Sequence, residues 1–352
     1  MLLKNYDLFS GAHDRIVDHH LKDSPLATTR VSLNDIYAPI DKELKDFSEC
    51  LTRELVSNDQ LIGDIHQHLL KMIGKFLRPA LTILCSKVEG RYNPSAVKLA
   101  AAIELIHTAT LVHDDIIDDS DLRRNMPSIH SKWGTEISIV SGDYLYAKAF
   151  VLLASLQDAW ISQAFAACAH VICEGEMKQI EKRKSFLMSE GDYLKIIHQK
   201  TAALFQAACM GGAYLAGTRQ EVIENLGQYG FNLGMAFQIV DDCLDLTGET
   251  ENLGKTTGLD IYKNDVTLPL LYLFHGLGTQ ERESLMMVIQ RDGAGLFEKI
   301  KNLVIETKSV ERAMAKARNY IETALDSLRP LQESPYKESL ALLANYCVDR
   351  VR

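Results

Sequence analysis

The sequence predicts an all-α protein built as a single domain. Apolar residues recur at helical spacing along most of the 352 residues, strand-like alternation bounded by hairpin turns is nearly absent, and no Ser/Gly-rich linker divides the chain. The hydrophobic fraction of 47% and the charged fraction of 24% are ordinary for a globular protein with a sizeable core. We therefore expect one helical domain over residues 31–352, preceded by an N-terminal extension over residues 1–30.

Short turns containing Gly, Asn or Pro separate the predicted helices. Asn93 and Pro94 have the order of an N-cap followed by proline at the first helical position, and they open an apolar helix that runs towards Asp118. The other predicted helices cover 41–56, 60–73, 79–89, 137–156, 160–181, 191–216, 220–246, 266–275, 280–290, 294–304, 309–327 and 338–349. No repeat with a fixed period is present, so a solenoid is not expected.

Composition also restricts the partners and the location of the protein. A formal net charge of −9 disfavours nucleic acid as the main partner. Seven scattered cysteines without C-x-x-C spacing are typical of buried free thiols in a reducing compartment. The first residues lack the apolar core of a secretory signal, and no uncharged apolar stretch approaches the roughly 20 residues of a membrane span. We expect a cytoplasmic protein without a transmembrane segment.

An acidic cluster ends the apolar helix that begins near residue 94. Five aspartates lie within the eight positions from Asp114 to Asp121. On a helix, Asp114 and Asp118 share a face, with Asp115 alongside. Like charges so close raise one another's pKa unless cations compensate them. Taken alone, the cluster fits a solvated helix end as well as it fits a ligand site.

A second cluster repeats the D-D-x-x-D pattern 127 positions later and favours a metal site. Asp241 and Asp245 again share a helical face directly after an apolar stretch, where carboxylates are costly to bury unless cations neutralise them. Mg²⁺ suits two such faces, because it takes one or two carboxylates and completes its octahedron with water and phosphate oxygens. Neither cluster has the loop of an EF-hand. The predicted Mg²⁺ ligands are Asp114, Asp115, Asp118, Asp241 and Asp245.

Basic residues that a metal-bound phosphate would need are spread over several segments. They are Lys75 and Arg78 in the turn 74–79, Arg123, Arg124, Lys200 next to Thr201, and Lys255. Each of them alone is more often a surface base than a ligand. The Gly254-Lys255-Thr256 run is not a P-loop, because the upstream Gly248 leaves five intervening residues and a helical pattern precedes it where a strand is required.

Taken in order, these motifs resemble those of the trans-isoprenyl diphosphate synthases. The resemblance covers about residues 40–350 and rests on both D-D-x-x-D motifs, the G-K-x-x-R-P turn, His107, Lys200-Thr201, and residues 254–260 followed by the Thr-Leu-Pro-Leu run at 267–270. It implies a bundle of antiparallel helices around a central cavity, usually a homodimer. The implied activity is a Mg²⁺-dependent prenyl transfer in which isopentenyl diphosphate condenses onto an allylic diphosphate.

The resemblance also implies a role for each matching residue. For catalysis it implies Asp114, Asp115, Asp118, Lys200 and Asp241. For the allylic diphosphate it implies Arg123, Lys200, Thr201, Gln238 and Lys255, and for isopentenyl diphosphate Lys75, Arg78, His107 and Arg124.

The sequence departs from the family twice. Ile73 stands where a glycine often precedes Gly74, and Asn264-Asp265 replace a Gly-Lys pair, so that lysine's contact with the diphosphate is not carried over.

Small residues before the first motif predict a long product. Ala109 stands five positions before Asp114, where short-chain members of the family tend to have a bulky aromatic, and Ala102 lies seven residues earlier on the same face. From Asp114 to Ala102 the helix spans about 18 Å. The expected tunnel would hold a C35 to C50 chain, consistent with quinone side chains, with Phe150 as its floor. The alternative is that these alanines only pack tightly.

Several other functions compete with this prediction. The nearest are a shorter-chain geranylgeranyl or farnesyl diphosphate synthase and one subunit of a heteromeric synthase. A class I terpene cyclase would normally combine one D-D-x-x-D with an Asn/Ser/Glu metal motif, and it lacks the isopentenyl-binding turn. A helical scaffold with solvated acidic faces is the remaining alternative.

Overall fold

The structure, a computed structural model, describes residues 32–72, 74–183, 185, 188–247, 261, 265–292 and 297–349. This part of the chain is helical apart from one short hairpin, which confirms the all-α prediction. The predicted extension over residues 1–30 lies outside the described residues. In chain order the helices are α1 Leu33–Tyr37, α2 Asp41–Glu54, α3 Gln60–Lys71, α4 Leu77–Lys87, α5 Ser95–Ile117, α6 Ile129–Trp133, α7 Thr135–Ala154, α8 Ala159–Lys182, α9 Glu190–Ile197, α10 Ala203–Leu215, α11 Gln220–Thr247, α12 Leu268–Gly276, α13 Thr279–Asp292, α14 Phe297–Glu306, α15 Ser309–Leu328 and α16 Pro335–Asp349.

Two local features differ from the predicted helical pattern. The helix predicted over 191–216 is divided by a π-helical segment, His198–Ala202, which separates α9 from α10. Between α5 and α6 the strands β1, Leu122–Arg123, and β2, Met126–Pro127, pair in antiparallel fashion. Arg124 and Asn125 at its turn both have positive φ angles, as a tight two-residue hairpin requires. Strands of two residues are too short to give a visible alternation, which is why the sequence pattern does not reveal them.

Helix α5 lies at the centre of the bundle. It packs against α7, α4, α2 and α10, and α10 in turn joins it to α11, which packs along α15. Residues Leu99–Ile106 of α5 are almost all fully buried, so this helix is apolar around most of its circumference. The N-cap of α5 is Pro94 and not the predicted Asn93, so the helix begins one residue later than expected. The Asn93 side chain still contacts the helix start, because its Oδ1 accepts a 2.9 Å hydrogen bond from the N–H of Ser95.

Two helices are long and apolar enough to cross a membrane, judged by length and composition alone. The first, α5, is mostly buried inside the bundle, as expected of a core helix. The second, α7, is less enclosed and exposes Val140 and Val151.

All seven cysteines are free, and Cys173 is the exposed one. The other six are buried, as expected of thiols in apolar surroundings.

A close crossing of α8 and the π-helical segment determines where that segment lies. A Cβ atom at Gly175 of α8 would approach Gln199 Cβ and Lys200 N to 2.7 Å, which real side chains essentially never do. Glycine is therefore required at this position for the two backbones to touch. Because the π-helical segment carries Lys200 and Thr201, the crossing at Gly175 sets the position of both residues.

We predict opposite effects for two glycine-to-alanine substitutions in helices. Gly175→Ala should lower the free energy of unfolding by about 1–3 kcal/mol, because the new methyl group forces α8 and the π-helical segment apart. Gly63→Ala in α3, where the Cβ would make an ordinary 3.7 Å contact with Ser57 O, should raise it by about 0.5–1 kcal/mol. Urea denaturation of both variants measures these changes, and equal effects would contradict the proposed crossing.

Candidate active site

The first aspartate motif lies at the carboxyl end of α5, with Asp114 and Asp115 in its last turns and Asp118 as the C-cap. Asp115 is 2% exposed, and both of its oxygens accept hydrogen bonds of 2.7–2.9 Å from the Arg123 guanidinium of β1. Burial raises the pKa of Asp115, and the charge of Arg123 opposes that shift. The hairpin thus supplies a cation to an anionic helix end whose macrodipole is also negative.

Lys200 compensates the charge of Asp114 from the other side. Its Nζ lies 3.5 Å from Asp114 Oδ2 and 2.6 Å from Glu176 Oε2 of α8. Burial alone would lower the pKa of Lys200, but the two carboxylates outweigh it and raise that pKa. The ammonium group therefore stays charged between two acids.

The second motif ends α11, and its middle residue differs from its neighbours. Asp242 Oδ2 accepts a 2.6 Å hydrogen bond from the Tyr193 hydroxyl, and Oδ1 accepts one of 2.8 Å from Gln238 Nε2. Burial raises the pKa of Asp242 to about 7, although both hydrogen bonds favour its charged form. With both oxygens engaged inside the protein, Asp242 anchors the helix end between Asp241 and Asp245.

Two consecutive residues of the π-helical segment connect the motifs. Lys200 contacts Asp114 of the first motif, as described above, and the Thr201 hydroxyl donates a 2.7 Å hydrogen bond to Gln238 Oε1. Gln238 in turn donates to Asp242 of the second motif. The two acidic helix ends, which are remote in sequence, are therefore held next to each other by one turn of chain.

A second basic group lies beside this arrangement. Arg78 is buried, its guanidinium stacks 4.4 Å over the Phe205 ring, and its Nε has no hydrogen-bond partner among the described residues. Burial lowers the pKa of Arg78 to about 10, while the charges of Glu104 and Asp241 oppose the shift. A buried cation with an unused donor fits an anionic ligand.

Arg124 reaches the same region from the hairpin turn. Its Nη1 donates to Met72 O at 2.7 Å, and its guanidinium occupies the space where Gly74 would carry a Cβ. Gly74, in the G-K-x-x-R-P turn, therefore lies against the Arg124 guanidinium. The next residue, Lys75, donates to the Tyr346 hydroxyl at 3.0 Å, so α16 lies over its ammonium group.

His107 is held neutral. Burial and the charges of Arg78 and Arg124 lower its pKa well below the usual value. Together with Glu104, Arg124 and Asp115 it lines a cleft between α2, α3 and α5, whose remaining walls are mostly leucine side chains. The cleft therefore has a charged rim and an apolar interior.

The residues predicted to set chain length do not line this cleft. Ala102 and Ala109 are fully buried in the core, and Phe150 of α7 is half-buried against it. The cleft is lined instead by their neighbours on α5, including Thr108, Leu111 and Val112. Lys255, predicted for the allylic site, lies outside the described residues.

One face of α8 contributes contacts that the sequence analysis missed. Glu176 binds Lys200, Gln179 donates to Asp265 Oδ2 at 3.1 Å, and Arg183 at the end of the helix pairs with Asp118 at 2.6 Å. Their spacing of three and four residues places them on one helical face, a signal that was available. Nothing in the sequence, however, distinguishes this face from an ordinary solvated one.

The carboxylates offer the donor atoms that a divalent cation needs. Among the described residues no three His, Cys, Asp or Glu side chains converge closely enough to hold a metal ion by themselves. Mg²⁺ does not need such a cage, because it binds through one or two carboxylates and takes its other oxygens from water and phosphates. The residues present therefore fit Mg²⁺ arriving with a diphosphate.

Comparison with known proteins identifies the family of the chain. Residues 59–304 match the polyprenyl synthetase family. The octaprenyl diphosphate synthase of Haemophilus influenzae is 33% identical over 321 residues, which are 91% of this chain and 98% of that protein. The all-trans-nonaprenyl-diphosphate synthase (geranyl-diphosphate specific) of Rhodobacter capsulatus is 34% identical over 319 residues, covering 90% of this chain and 98% of that protein.

A solved structure extends the likeness to three dimensions. The polyprenyl synthase from Caulobacter crescentus, crystallised with calcium and isoprenyl diphosphate, superimposes with a TM-score of 0.88 at 35% identity, covering 91% of this chain and 98% of that one. The predicted family is therefore confirmed: the chain belongs to the polyprenyl synthetase family of trans-isoprenyl diphosphate synthases and is a prenyltransferase.

Proposed function

We propose that this chain is a long-chain all-trans polyprenyl diphosphate synthase that adds isopentenyl diphosphate head-to-tail to an allylic diphosphate in the presence of Mg²⁺. The observation that supports this proposal most directly is the connection of the two aspartate motifs: Lys200 contacts the first motif, and Thr201 reaches the second through Gln238. The octaprenyl and nonaprenyl names of its relatives support a product in the C35 to C50 range.

In this proposal the two helix ends bind the allylic diphosphate. Asp114, Asp115, Asp118, Asp241 and Asp245 would hold Mg²⁺, which when bound supplies positive charge to the departing diphosphate. Lys200 and Arg123 already lie against the first motif, so their charges are in place before the C–O bond ionises. Preorganised cations stabilise the developing negative charge without a reorganisation cost during the reaction.

Isopentenyl diphosphate would bind at the second basic group. Lys75, Arg78 and Arg124 supply three positive charges, and the unused Nε of Arg78 is a donor for a phosphate oxygen. His107 adds a neutral imidazole, which can donate a hydrogen bond without adding to the repulsion among the three cations. The substrate double bond would then face the allylic site.

The allylic cation has to be protected from water until the double bond attacks it. Thr201 and Gln238 are hydrogen-bonded to each other, so their dipoles are fixed where the cation would form. Leucine side chains of the neighbouring cleft exclude water. After the new C–C bond forms, the released diphosphate is the base nearest to the proton that must leave.

We also propose that the protein works as a cytoplasmic homodimer with residues 31–352 as one domain. Val140, Tyr144, Ala147 and Val151 form an exposed apolar stripe along α7, with Val140 63% and Val151 71% exposed. Such a stripe is typical of a protein–protein interface. A second copy of the chain is the partner that the family resemblance implies.

Activity of the purified chain tests the proposed function. With Mg²⁺, isopentenyl diphosphate and an allylic primer it should release long-chain products, and Asp241→Asn should lower kcat by about 100-fold or more, because a carboxylate that would hold Mg²⁺ at the diphosphate is lost. Asp119→Asn is the matched control, since that aspartate is next to the first motif but its side chain is 94% exposed. No turnover by the wild-type chain alone, restored by a second subunit, would favour a heteromeric synthase.

Product length tests the role proposed for Ala109. Ala109→Tyr should shift the product to fewer isoprene units, because the new ring would fill the region below the first motif that the proposal assigns to the growing chain. Ala315→Tyr, on an exposed position of α15, should leave product length unchanged. Reversed-phase chromatography of the dephosphorylated products measures their chain length, and only folded enzyme contributes product. An unaltered product from Ala109→Tyr would refute this role.

Oligomeric state tests the stripe on α7. Val151→Glu combined with Val140→Glu should convert the dimer to a monomer, because two buried carboxylates without partners are costly at an interface. The control is Ile305→Glu on α14, which is similarly exposed at 52%. Sedimentation velocity measures the masses, and a dimer that persists in the double variant would place the interface elsewhere.

A further inference from the structure

Arg183 joins the first aspartate motif to a distant carboxylate. It lies at the C-cap of α8, where its Nη2 donates to Asp118 Oδ1 at 2.6 Å and its Nε donates to Asp265 Oδ1 at 3.1 Å. Its third nitrogen, Nη1, lies 3.4 Å from Ile117 O at the end of α5. One guanidinium therefore bridges α8, the carboxyl end of α5 and the segment before α12.

Asp265 is built to hold this guanidinium. It is 8% exposed, and its second oxygen accepts a 3.1 Å hydrogen bond from Gln179, one helical turn before Arg183. The charge of Asp118 acts on Asp265 as well as on Arg183, so the two carboxylates lie close enough to repel each other. A buried acid at this place would be costly without the cation that it shares with Asp118.

We propose that Asp265 is a positioning residue and that Arg183 is the cation it presents to the allylic diphosphate. Mg²⁺ and a diphosphate arriving at Asp118 would compete for the oxygen that Nη2 now contacts. Nε would stay bound to Asp265, and the freed Nη2 would donate to a phosphate oxygen. This inference rests on the proposed function, and it assigns a role to the acid that replaces the family's lysine at position 265.

Arginine suits this task better than lysine. The planar guanidinium has separate N–H donors on Nε and Nη2, so one donor can remain on Asp265 while the other binds a second oxygen. A lysine ammonium at position 183 would be a point charge without that division. The positive charge proposed for the allylic diphosphate therefore lies on α8, at Arg183. The carboxylate of Asp265 orients this guanidinium rather than repelling the substrate.

Binding of an unreactive substrate analogue tests the proposal without relying on turnover. We would titrate the full-length protein with a thiolo analogue of an allylic diphosphate in Mg²⁺ by calorimetry. Arg183→Gln should weaken binding by about 10- to 100-fold, as expected for a lost charge-assisted hydrogen bond. The KM for the allylic diphosphate should rise by a similar factor while the KM for isopentenyl diphosphate stays unchanged.

A charge transfer between the two positions provides the sharper test. In the Arg183→Gln/Asp265→Lys double variant, a lysine on the facing segment should restore binding by about 10-fold or more over Arg183→Gln, because the lost cation returns to the same place. The control is Arg219→Gln, an exposed arginine paired with Glu89, which should alter binding by less than about twofold.

The possible results distinguish a failure of this proposal from a failure of the proposed function. If Arg183→Gln binds the analogue as tightly as the wild-type chain, or if the double variant binds no better than Arg183→Gln, Arg183 only caps α8 and the proposal is wrong. If the wild-type chain itself binds no analogue in Mg²⁺, the proposed function fails instead.

Discussion

The carboxylates at the ends of α5 and α11 are the constraint on which the rest of the site depends. Each cluster adds negative charge to a helix terminus that is already negative because of the macrodipole. At the first cluster the compensation comes from three directions: Arg123 of the hairpin, Lys200 of the π-helical segment and Arg183 of α8. The site is therefore a charge balance between elements that are far apart in sequence, and removing one of them leaves an acid without its counterion.

Placing these cations requires unusual backbone at several points. Arg124 and Asn125 take positive φ angles in the hairpin turn that begins directly after Arg123. Residues 198–202 form a π-helical segment, a rare feature that is frequent at functional sites, and this segment directs Lys200 and Thr201 to different motifs. Gly175 allows α8 to touch that segment. Four of the six non-glycine residues with positive φ in the described part of the chain, Phe76, Asp119, Arg124 and Asn125, lie in or beside the charged motifs, whereas Gln157 and Lys308 lie elsewhere.

Sequence periodicity predicted the long helices to within a few residues, because each has an apolar face that the core must cover. The aspartate motifs and most of the basic residues of the candidate site were selected for a different reason, because clustered charge next to an apolar stretch is conspicuous in a sequence. The π-helical segment, the hairpin and the face of α8 that carries Glu176 and Gln179 were not predictable in the same way. Their importance comes from what they touch, and contacts such as Gln179 to Asp265 join residues 86 positions apart.

Asp265 shows that the charge at one sequence position does not determine the charge of the site around it. In the sequence it stands where the family usually has a lysine, so it looks like the loss of a cation from the allylic site. In the structure the same carboxylate holds Arg183 against Asp118, and Gln179 fixes its other oxygen. The field at a diphosphate depends on where charges lie in space, so an arginine on α8 can act from the place where a lysine on the facing segment would have acted. If Arg183 has the proposed role, the acid that orients it is part of the binding site, and the exchange of sign at position 265 is compensated by the contacts among Arg183, Asp118 and Asp265.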